Sequence, residues 1–286
     1  MPITIFRLFK KRNIGMKHLF KTLLSLALGS VILAACNNGG NNKTKTAASE
    51  IDDVSVTQII EDLENIPTPT TIDLMKMVNN MGISYMFDAT NSLANQESYL
   101  STKQKSLNLG VYAADLSYEV AYQRKAETEE YLKCILEMAS DLNISIDANK
   151  ISDKFQNNLN NVEELTAVVK DLFKDSQYIL NQTSQTETAL LFLIGSWVES
   201  AYICASVSDL ASNNMEFIKV AVNHFEYSTT ILKYLESRKD NSDFTEFYTE
   251  LTDLQSSIES LKADMNNSEK FESVASAVKE IRNSII

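Results

Sequence analysis

Few residue types in this chain could carry chemistry, and their scarcity is informative. Beyond the first 35 residues there is one histidine, His224, so HExxH zinc sites, CxxCH haem attachment and multi-histidine metal clusters are excluded. No GxSxG, P-loop or GxGxxG run is present. A Ser-His-Asp triad would have to use His224, which lies on an apolar helical stripe with no nucleophile motif beside it. The expectation there is a core or half-buried histidine. The reading is therefore non-catalytic, and it calls for no metal and no cofactor.

Two stretches stand out for a different reason. Gly110-Val111-Tyr112-Ala113-Ala114-Asp115-Leu116-Ser117-Tyr118 and Gly195-Ser196-Trp197-Val198-Glu199-Ser200-Ala201-Tyr202 each combine a glycine, two aromatics and one carboxylate. Each lies in a segment that is apolar nearly all round. An ionised carboxylate removed from water costs several kcal/mol unless it is paired, so Asp115 and Glu199 need partners. Those partners can be Arg124, lysines or tyrosine hydroxyls within a core. Alternatively, Tyr112, Asp115, Tyr118, Trp197, Glu199 and Tyr202 line a polar cavity suited to a cationic or polyhydroxylated ligand. Gly82, before Ser84-Tyr85, has a similar context, and all three glycines read as mid-helix positions that permit close packing.

The elements that must position these residues are helical. From Thr70 to Ile286 there is no proline and only three glycines, which a turn-rich β fold does not tolerate. Helix starts are marked by Thr70…Asp73, Asn161…Glu164, Ser184…Glu187, Asn213…Glu216 and Asp243…Glu246. Apolar residues recur by three and four, as in Phe244, Phe247, Leu251, Leu254, Ile258 and Leu261, and in Phe271, Val274, Val278, Ile281 and Ile285. The pattern predicts about nine helices, near 54–64, 71–93, 103–123, 125–142, 150–180, 185–210, 214–238, 243–264 and 269–286. They should form one all-α antiparallel bundle, with a division into two packed sub-bundles near Asn143–Asn149 or Asn181–Ser184 as the alternative. Leu107–Tyr122 and Ala189–Val207 should sit centrally. The second is long enough to span a bilayer, but Glu199 near its middle and the lack of basic flanks make it a core helix.

The N-terminal part gives an address. Arg7, Lys10, Lys11, Arg12, Lys17 and Lys21, with no acid among them, precede the apolar run Leu23–Leu33, which is too short to cross a membrane. It ends in Leu33-Ala34-Ala35-Cys36, which resembles the lipobox of bacterial lipoproteins. That resemblance implies a cleaved signal over residues 1–35, with Cys36 as the diacylglycerol-modified first residue of the mature chain. Met16 offers a second start with a more typical basic region. Residues 36–50, with Asn37-Asn38-Gly39-Gly40-Asn41-Asn42, read as a flexible tether, and residues 51–286 as the all-α domain. No Asp follows Cys36, so an outer-membrane address facing the periplasm is expected.

The whole chain carries a net charge of −12. All six charges of the signal are basic, so the mature chain is more acidic still. Such a balance excludes nucleic acid and favours basic partners, an envelope protein among them. The body's two cysteines, Cys134 and Cys204, are either a disulfide or two buried thiols. Finally, the two glycine-aromatic-acid stretches are similar to "GVY-x-ADL-x-Y" and "GGW-x-E-x-x-Y" segments in uncharacterised helical lipoproteins of the Bacteroidetes. This resemblance implies an envelope address and no mechanism.

Overall fold

The computed structural model describes residues 70–208 and 214–286, except for the side chain of Asn181. The expected helix over 54–64, the tether, Cys36 and the signal lie outside the described residues. The described residues form an all-α body belonging to one compact unit, with no strand among them. In chain order the helices are α1 (Thr71–Asn80), α2 (Thr102–Ala121), α3 (Lys125–Asp141), α4 (Ala148–Asn158), α5 (Val162–Gln182), α6 (Thr186–Ser206), α7 (Met215–Phe225), α8 (Tyr227–Glu236), α9 (Thr245–Ala263) and α10 (Ser268–Ile285). A short 3₁₀ helix, Leu93–Ser98, precedes α2.

Helices α2 and α6 pack most extensively on one another and form the axis of the body. Every residue of α2 from Ser106 to Ala121 is buried, and so is every residue of α6 from Thr188 to Ala205 apart from Leu193 and Tyr202. The all-round apolar pattern of both segments has this cause: each helix meets neighbours on every side. One hydrophobic core lies between the pair and α3, α4 and α5, and includes Tyr112, Leu116, Phe155, Leu172 and Phe192. The other lies between the pair and α7 to α10, and includes Val111, Trp197, Phe225, Leu254 and Val278. The alternative of two sub-bundles is thus met in part: two cores share one helix pair within a single unit.

Gly110 and Gly195 lie at the crossing. A Cβ on Gly110 would stand 2.1 Å from the Phe192 carbonyl oxygen, and one on Gly195 would stand 1.9 Å from that of Leu107. Backbone meets backbone here, and only glycine permits it. Gly82 differs from the expectation. It is not inside a helix but follows the C-terminus of α1 with φ +76°, a left-handed position that ends the helix.

Three expected helices are corrected in length for the same kind of reason. The 71–93 segment stops at Asn80 because of Gly82. The 150–180 segment divides around Leu159–Asn161, where the Asn161 side chain accepts from Glu164 N at 3.2 Å and starts α5. The 214–238 segment breaks at Glu226. Three expected caps also shift, with Asn214 in place of Asn213 as the third. Neither Ser184 nor Asp243 caps a helix; the residues at those starts are Gln185 and Phe244, without side-chain caps. Asn214 caps α7, accepting from Glu216 N and Phe217 N. Cys134 and Cys204 are buried free thiols in different cores, so they form no disulfide; burial pushes both up to about 12.

Candidate functional site

The α2–α6 crossing brings Asp115 and Glu199 together, both fully buried, and α10 supplies their cation. Arg282 Nε and Nη2 donate to Glu199 Oε2 and Oε1 at 2.8 and 2.9 Å, a bidentate pair. The guanidinium also lies 3.9 Å above the Tyr202 ring. One oxygen of Asp115 accepts from the Asn91 backbone N–H at 3.1 Å, while Oδ1 faces no donor. Burial and the adjacent Glu199 charge raise the Asp115 carboxyl well above the usual carboxylate range. Burial beside Glu199 thus favours the uncharged form of Asp115, while Arg282 is the cation that pairs with Glu199. The expected partner Arg124 is elsewhere, paired with Glu127 and stacked 4.9 Å from the Tyr85 ring.

The other residues of the expected polar cavity diverge. Tyr112 donates to the Ser92 carbonyl at 2.9 Å on the α3 side. Tyr118 accepts from Met86 N at 2.8 Å and stacks on Tyr85 on the other side. Tyr202 is covered by Arg282. Asp115 and Glu199 thus form an internal cluster with Arg282, and of the six residues Trp197 alone belongs to the lining of the cavity of about 360 Å³ on another face of α6. Next to Tyr118, Glu119 is also buried; the Tyr85 hydroxyl donates to it at 2.9 Å, and burial raises its carboxyl to about 7.

The cavity lies on another face of α6, among α1, α2, α5, α7 and α8, and has a volume of about 360 Å³. Phe173, Leu193, Trp197, Tyr227 and Ile231 make its walls apolar and aromatic. Exposed Thr70, Lys170 and Lys174 mark its mouth, and Lys170 is paired with Asp73 at 2.7 Å. Its floor carries Gln177, Ser200 and His224, all buried. Trp197 Nε1 donates to the His224 carbonyl at 3.1 Å and fixes the indole against that floor.

Hydrogen bonding on the floor is incomplete. Ser200 Oγ lies 2.8 Å from the Ser196 carbonyl and 2.8 Å from His224 Nε2. With the serine proton on the carbonyl, His224 Nε2–H donates to Ser200 and Nδ1 is left as an acceptor. Nδ1 has no partner, and neither amide atom of Gln177 has one. Burial lowers His224 to about 4, so its ring is neutral near pH 7. Among the described residues no acid orients His224, so the Ser200–His224 pair lacks the third member of a triad. Nor do three His, Cys, Asp or Glu side chains gather among these residues to hold a metal. A second hollow of about 410 Å³ between α3 and α4 is bordered by Glu129, Lys133 and Glu137, whose charges remain in solvent.

Gln177 does not stand out in the sequence as a site residue, although it carries a signal. Val169, Phe173 and Gln177 are spaced by four along α5, so a polar amide stands where the stripe calls for an apolar side chain. No protein-family model matches the chain, and no curated protein or solved structure matches it either.

Proposed function

We propose that this chain is a non-catalytic, lipid-anchored protein of the cell envelope that binds a small, largely apolar ligand between its helices. The observation that carries this reading is the cavity behind Trp197. Its volume of about 360 Å³ falls within the range of small-molecule pockets, its walls are apolar, and a few polar groups converge on its floor. Gln177, Ser200 and His224 are the buried polar residues among its lining, and they interrupt an otherwise apolar wall. The address rests on Leu33-Ala34-Ala35-Cys36, with the anchor on Cys36 and the outer membrane, periplasmic side, as its location.

This places the ligand on a different face of α2 and α6 from Asp115 and Glu199, whose carboxylates are engaged by Arg282 and Asn91. The reading as an adaptor for an envelope protein asks for a contiguous apolar patch rimmed by acids. Among the described residues the large exposed apolar side chains Phe87, Leu100, Tyr178, Met215 and Ile286 come from separate segments of the chain.

Native mass spectrometry of the full lipidated protein, purified from its own envelope in mild detergent, tests the reading. The expected spectrum carries a defined small-mass adduct that disappears in Leu193→Trp, which fills the cavity. A bare wild-type protein, or an adduct retained by Leu193→Trp, would overturn it.

A further inference from the structure

From the charges that border the cavity we infer that its ligand is an amphipathic anion, with a flat apolar body among the aromatic walls and one acidic head at the mouth. The inference rests on the pocket reading above and names the ligand class. Lys170 and Lys174 are the charged side chains of the lining, and no Asp or Glu is among the described residues there. That is the reverse of the chain as a whole, where 38 acidic residues face 26 basic ones. The two lysines stand one turn apart on α5, on the same face as Phe173 and Gln177. Like charges at that spacing repel slightly, and the aspartates that follow them, Asp171 and Asp175, do not line the cavity. Asp171 is turned to Lys154 instead, at 3.4 Å.

The two ammonium groups are not equivalent. Lys170 pairs with Asp73 at 2.7 Å, and Asp73 also accepts from the Thr70 hydroxyl at 2.7 Å, so that acid is already engaged. Lys174 has no ion pair among the described residues. It is exposed and lines the cavity, the placement of a lysine whose stem covers apolar surface while its charge reaches water. An anionic head at the mouth supplies the counter-charge that Lys174 lacks. Deeper in, the lining carries no charge, and an ion there would lose its hydration without compensation. The walls select the rest of the molecule. Phe173, Trp197 and Tyr227 are aromatic, and a flat ring system meets them with offset or edge contacts. At roughly 30 Å³ per water, the cavity has room for about a dozen water-sized volumes, the scale of a two-ring compound.

Three probes of nearly equal size and shape isolate the charge. At neutral pH 2-naphthoate is an anion, 2-naphthamide is uncharged and 2-naphthamidine is a cation. Calorimetric titration of the full lipidated chain in nanodiscs of zwitterionic lipid, with empty nanodiscs as the blank, should place naphthoate about fivefold above naphthamide, and naphthamidine last. The acidic chain as a whole attracts cations and favours the opposite order, so a preference for the anion reports the mouth of the cavity. Lys174→Met should bring naphthoate down to the level of naphthamide, and Lys174→Arg should keep the preference. Leu193→Trp should abolish naphthoate binding. A wild type that binds naphthamide or naphthamidine as tightly as naphthoate overturns the inference and leaves the pocket standing. So does a preference for naphthoate that survives in Lys174→Met. Naphthoate binding retained by Leu193→Trp lies outside the cavity and overturns the inference as well. If none of the probes binds, the inference falls, and the mass spectrum alone then decides the pocket reading.

Discussion

Arg282 is what compensates the buried charge of Glu199, which pairs with no second cation among the described residues. Replacing it with Met keeps the volume and leaves a carboxylate uncompensated at zero exposure, which costs about 3–5 kcal/mol in such settings. Asp115→Asn should cost far less, since burial beside Glu199 already disfavours the charged acid and the amide retains both donor and acceptor. Chemical denaturation of the two variants checks the contrast, and equal losses would mean that the proton is not on Asp115. The pH dependence follows with its sign. Asp115 is raised well above its unfolded value and Glu119 is raised to about 7, so the folded protein binds more protons than the unfolded one above pH about 4. Their contribution is complete below the unfolded values and is lost as pH rises through the folded ones. His224, lowered to about 4, acts oppositely, but only between about pH 4 and its unfolded value near 6.5. From pH 6.5 upward the melting temperature should therefore fall, and less steeply in Asp115→Asn. That two acids required partners could be read from carboxylates set in segments apolar all round. The partner itself could not, because Arg282 is 83 residues from Glu199 and only tertiary packing brings them together.

Glycine shows how one residue type does different work in different elements. Alanine in a helix normally gains up to about 1 kcal/mol over glycine, so Gly110→Ala and Gly195→Ala would stabilise an isolated α2 or α6. In the folded chain each new methyl meets a carbonyl oxygen at 2.1 or 1.9 Å, and the axis helices must separate along both cores. The expected loss is about 3 kcal/mol or more. Gly82→Ala meets no atom within 4 Å, yet it places a side chain at φ +76°, for a loss of about 1–2 kcal/mol. Urea denaturation of the three variants should rank them so, and a larger loss at Gly82 would refute the packing account. The central place of α2 and α6 could be read from their patterning, since a helix without a polar face has nowhere else to go. Helix ends were harder to read. Besides Gly82, the left-handed positions fall on Gln123, Asn143 and Ser184, residues with no strong preference for terminating a helix, apart from the asparagine. The cavity was hidden for a related reason: Gln177 reads as one polar interruption of a stripe until α1, α6 and α8 close around it.

At the scale of the whole molecule, the chain contains one helix among the described residues, Thr186–Ser206, that is long and apolar enough to cross a membrane. Its apolar surface faces the two cores instead, and Glu199 at its centre is bound to Arg282. Inserting this helix into a bilayer would open both cores and carry a charged pair into hydrocarbon, so on the proposed reading membrane attachment comes from another part of the chain. On the proposed reading that part is Cys36. Each acyl methylene buried in the bilayer contributes about 0.8 kcal/mol, so two or three chains hold the protein stably where one does not. The acidic mature chain adds no attraction to anionic lipid. Attachment should then depend on a single sulfur. Cys36→Ser, expressed from the full-length sequence, is expected to move the protein from the membrane fraction to the soluble fraction, with the melting temperature of its helical body unchanged. If the variant stays in membranes after a carbonate wash, a second membrane-binding element is present and the lipid anchor is not what holds the chain there.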